Sequence, residues 1–152
     1  MADAETACFT VGVFQDVAWA AKGLDALKDA GFPPESLTIV SKESPETGAL
    51  IERVLGSSAE HLNLAAVGSV VARGPLLSAL QATAGDLAKL GLSGTMRRVG
   101  FQAHDGRIFE ALTAKGGVLV AIRSEPRAAD ALAILHSYGG GNAAIGAWTG
   151  RV

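Results

Sequence analysis

Residues 10–31, TVGVFQDVAWAAKGLDALKDAG, and residues 118–139, VLVAIRSEPRAADALAILHSYG, lie over one another without a gap at an offset of 108 positions. The identities are Ala20/Ala128, Ala21/Ala129, Leu24/Leu132, Leu27/Leu135 and Gly31/Gly139. In a chain rich in Ala, Leu and Gly, about two matches arise by chance. Apolar positions coincide as well, at Val11/Leu119, Val13/Ala121, Phe14/Ile122 and Ala26/Ile134. Each copy reads strand, helix, strand. Two such units predict a ferredoxin-like α/β plait, with four antiparallel strands and two helices on one face.

Working outward, repeat one covers about residues 8–41, an insert about 44–115, and repeat two about 116–149, all within one domain of residues 1–152. The first strand, about 8–14, ends at Asp16, whose carboxylate can accept from the first-turn amides of a helix. In that helix Val17, Ala20, Leu24 and Leu27 share a face, and Gly31 suits its end. Leu37–Val40 forms the next strand. Ser44-Pro45-Glu46 then announces a helix, with a capping hydroxyl, Pro at the first position and a carboxylate at the positive end of the dipole. That helix stops at Gly56.

The rest of the insert is too apolar and too periodic for a linker. A polar stretch, 57–61, leads into a strand over Leu64–Arg73, favoured by Val67 and Val70-Val71. Gly74-Pro75 turns into a helix with Leu76, Leu80, Ala84 and Leu87 on its stripe. A last insert helix, about His104–Lys115, presents Ile108 and Leu112 inward. In repeat two, Val118–Ile122 is almost continuously apolar, as a strand buried on both faces would be. Ser124-Glu125-Pro126 starts the following helix, and Ala143–Trp148 closes the sheet. The insert strand extends the plait or forms a separate ribbon; alternatively, the insert helices cover the second sheet face in a three-layer domain.

Composition narrows the function classes. Apolar residues make up 49% of the chain and aromatic ones only 5%, so the core is built from Ala, Val, Leu and Ile. Thirteen basic against fifteen acidic residues, with no basic cluster beyond Arg97-Arg98, disfavour nucleic acid as a partner. The single cysteine, Cys8, excludes an internal disulfide and suits a reducing, cytoplasmic setting. The N-terminus lacks the basic and apolar regions of a signal peptide. No apolar stretch approaches the ~20 residues of a membrane span.

Three segments carry a family resemblance: FTVGVFQDVAWAAKGLDALKDAGFPPESLTIV (9–40), GSVVARGPLLSAL (68–80) and FEALTAKGGVLVAI (109–122). Together, and in this order across residues 8–148, they resemble the bacterial heat-induced general stress protein (YflT-type) family and its membrane-associated relatives. The resemblance implies a stress-associated or housekeeping protein with a plait-like core and no named reaction. In many relatives the segment matching 62–92 is a longer Gly/Ala-rich stretch; here Arg73, Asp86 and Lys89 interrupt it.

Candidate chemistry is sparse. No two of the histidines, His61, His104 and His136, stand three or four residues apart, so no local metal frame exists. The only acid/base grouping is His104-Asp105 with Glu110. Neither a nucleophile elbow nor a phosphate loop occurs. Arg73 and Gly74, where a strand feeds a helix, form a candidate site for a small anion. Trp19, off the apolar face of its helix, and the stripe Leu76, Leu80 and Leu87 are candidate interface residues. The expectation is a small cytoplasmic, non-catalytic protein, without cofactor, that self-associates and binds a partner or small ligand. The alternatives are an enzyme using His104, Asp105 and Glu110, and a peripheral membrane protein docking through 62–92.

Overall fold

A computed structural model describes residues 7–56, 59–64, 67–74, 103–123, 128–137 and 144–148. The chain runs β1 (Ala7–Phe14), α1 (Val17–Asp29), β2 (Leu37–Lys42), α2 (Pro45–Leu55), β3 (Glu60–Leu64), β4 (Gly68–Arg73), α3 (Ala103–Ala114), β5 (Val118–Arg123), α4 (Ala128–Ser137) and β6 (Ala144–Trp148). Local signals account for most boundaries. Asp16 caps α1 by accepting from the Trp19 amide at 2.9 Å. Ser44 caps α2 by accepting from the Thr47 amide at 3.1 Å, with Pro45 at the first helical position. Gly56 ends α2 at φ 72°, in the left-handed region.

Among the described residues the strands form one six-stranded sheet in the order β3-β4-β2-β5-β1-β6. Every neighbouring pair is antiparallel. β1 and β2, joined through α1, are separated by β5; β5 and β6, joined through α4, are separated by β1. The fold is therefore mixed α/β on an antiparallel sheet.

Alternation along the strands divides the core in two. Phe14, Leu37, Ile39, Val71, Val118, Val120 and Ile122 face one side, where Leu24 and Leu27 of α1, Leu50, Ile51 and Val54 of α2 and Leu135 of α4 cover them. Val11, Val13, Val40, Val70, Ala72, Leu119 and Ala121 face the other side, against Phe109 of α3. β5 is apolar on both faces because helices cover both.

The helices of the two aligned segments, α1 and α4, share one face with α2, while α3 of the insert covers the opposite one. Three expectations need correction. The insert strand is not one run over 64–73 but a hairpin, β3 and β4, which extends the sheet through pairing of β4 with β2. His61, expected in the polar stretch 57–61 ahead of that strand, lies within β3. The inward face of α3 also differs. Phe109 is fully buried with Leu112 packed beside it, while Ile108 is only half-buried. Leu76, Leu80 and Leu87 lie outside the described residues.

Leu27 and Leu135, equivalent in the aligned segments, are both fully buried in the same cluster. Leu27→Ala and Leu135→Ala are each expected to cost about 2–5 kcal/mol, from lost transfer energy plus the cavity left behind. Urea unfolding reads this directly. A loss below about 1 kcal/mol at either site would mean that the neighbouring helices collapse freely into the space.

Candidate functional site

The sheet edge brings together residues that are far apart in sequence. Lys42 ends β2, and Glu43 follows it, its amide donating to the Ser69 carbonyl of β4 at 3.1 Å. This bond ties the start of α2 to the hairpin. Across the hairpin, His61 pairs directly with Val71. Directly opposed residues share a sheet face, and Val71 belongs to the face that α2 covers. His61 therefore stands beside the first turn of α2, with Nδ1 3.4 Å from Glu43 Oε2.

A cleft of about 420 Å³ opens between α2 and β3, lined by Glu43, Ser44, Pro45, Gly48, Glu52, Ala59, His61 and Val71. The Glu43 and His61 side chains are 52% and 66% exposed, so their pairing organises the rim without stabilising the fold much. Exposed ion pairs contribute roughly 0–1 kcal/mol. The donors at the start of α2 are largely engaged. Pro45 has no N–H, the Thr47 amide bonds to Ser44 Oγ, and the Gly48 amide bonds to the Ser44 carbonyl. The Ser44 and Thr47 hydroxyls are themselves 2.9 Å apart. Among the described residues, neither Lys nor Arg lines the cleft. Its polar lining is thus two carboxylates, a hydroxyl and an imidazole, beside the apolar surfaces of Pro45, Ala59 and Val71.

The residues singled out from sequence lie elsewhere. His104 and Asp105 fall in the first turn of α3, their side chains outside the described part of the structure. A helix turns about 100° per residue, which leaves Glu110 about 120° from His104 and about 140° from Asp105. Helix geometry alone does not bring the three onto one face. Glu110 is half-buried.

Arg73 ends β4, and its Nη1 lies 3.9 Å from Glu60 Oε2. The guanidinium expected to receive an anion therefore has a carboxylate beside it. Gly74 has φ 134° and rests directly on the backbone of β2 at Leu37 and Thr38, so a packing demand accounts for glycine here. The helix expected after Pro75, the other half of that anion site, lies outside the described residues.

Trp19 is the one large apolar side chain exposed among the described residues, at 39%, with Lys22 Nζ 4.8 Å from its ring centroid. Of the stretch 62–92, Leu64, Val67, Val70 and Ala72 are buried in the core, not presented outward. Among the described residues, no helix is long and apolar enough to cross a membrane. Nor, among the same residues, does any group of three or more His, Cys, Asp or Glu side chains stand close enough to hold a metal ion.

Sequence reasoning missed the cleft. Glu43 and His61 are joined only through the pairing of three strands, and neither belongs to a local motif. Comparison with protein-family models, curated proteins and solved structures finds no match for this chain.

Proposed function

We propose that this protein is a small, non-catalytic, self-associating binding protein whose ligand site is the cleft between α2 and β3. The cleft's lining carries the reading: Glu43 and Glu52, with no lysine or arginine among the described residues, around a volume in the range of small-molecule sites. Two carboxylates with one imidazole between them favour a positively charged guest, and the engaged amides at the start of α2 give an anion little to bind. The apolar surfaces of Pro45, Ala59 and Val71 suit a short methylene chain. A small alkyl amine or diamine meets all three conditions. An anionic ligand at Arg73 and Gly74 is the weaker reading, because Glu60 lies beside that guanidinium.

The order β2-β5-β1-β6 supports reading the core as a ferredoxin-like plait of two β-α-β repeats, with β3 and β4 added at one edge. The resemblance to the heat-induced general stress protein family adds a stress-related setting to the proposal, and the single cysteine, Cys8, a cytoplasmic one. Self-association is supported by the exposed Trp19 and by β3 and β6, the outer strands of the described sheet. Outer strands are where another chain can add.

The test is a titration of the labelled protein with 1,4-diaminobutane and, separately, with citrate, following the amides of Gly48 and Ala59. The diamine is expected to shift both, and Glu52→Gln to weaken its binding about tenfold, equivalent to roughly 1.4 kcal/mol. Stronger binding of citrate, or shifts unchanged by Glu52→Gln, would overturn the cationic reading. Sedimentation at micromolar concentration should show a dimer or larger, with Leu80→Glu moving it towards monomer. A strictly monomeric wild type would refute self-association.

A further inference from the structure

We draw no further inference here: the strongest candidate, the groove between α1 and α2 lined by Val17, Ala21, Ala49 and Leu50 and flanked by the Asp25–Arg53 ion pair, is an apolar helix surface with nothing in the structure to show what covers it.

Discussion

Phe14→Ala is expected to remove about 3–5 kcal/mol of stability, the range for emptying a buried aromatic site. Phe14 is fully buried at the end of β1, in the cluster roofed by α1, α2 and α4. Its ring lies against the backbone of Gly23, in the middle of α1, where a Cβ would collide with it. Glycine inside a helix ordinarily costs about 1 kcal/mol relative to Ala. Here that penalty accompanies a close approach of helix to strand that no other residue permits.

The pair yields a sharper form of the same prediction. Gly23→Ala gains helix propensity but must displace a ring that is enclosed on every side. The expected net result is destabilisation by about 1–3 kcal/mol, the usual range for overpacking. Combining Gly23→Ala with Phe14→Leu should recover part of that loss, because the smaller side chain makes room for the methyl group. A double-mutant cycle by urea denaturation measures the coupling. Strict additivity of the two changes would show that α1 does not pack on Phe14 as described.

Gly74→Ala carries the second large effect, expected at about 2–5 kcal/mol. Two terms contribute. At φ 134° the backbone is in a region that side chains with a Cβ rarely adopt, and positive φ costs roughly 1–2 kcal/mol. The new Cβ would also strike the Leu37 carbonyl and the Thr38 Cα, which belong to β2 and cannot rotate away. Overpacking adds about 1–3 kcal/mol. The strain falls next to the Ile39–Arg73 pairing of β2 with β4, so hydrogen exchange in β4 should accelerate together with the global loss. Retention of stability within about 1 kcal/mol would mean that the end of β4 lifts away from β2 without penalty.

The cleft responds to a different kind of change. Glu43→Gln and His61→Ala alter exposed groups at its rim, so each should leave stability within about 1 kcal/mol of wild type. On the proposal above, their effect falls on diamine binding. That separation between folding and binding is what distinguishes a site on an edge hairpin from the packing positions Phe14, Gly23 and Gly74.

Sequence by itself determined the elements whose causes are local. The caps at Asp16 and Ser44, the glycine stop at Gly56 and the apolar face of α1 all depend on neighbours within a turn or two. The unbroken apolar run of β5 announced a strand covered on both sides, although not which helices would cover it. The hairpin was harder to read. Glu60, His61 and Asn63 are exposed on an outer strand, where few contacts impose an apolar alternation, so the segment resembled a loop. Only the tertiary structure decided that α3 closes the second face through Phe109, that Gly23 admits the Phe14 ring, and that His61 meets Glu43. The physical reason is common to all three. Strand order and the crossing of helices over the sheet place side chains in contact across the fold, whereas periodicity and capping record only what each residue meets along its own element.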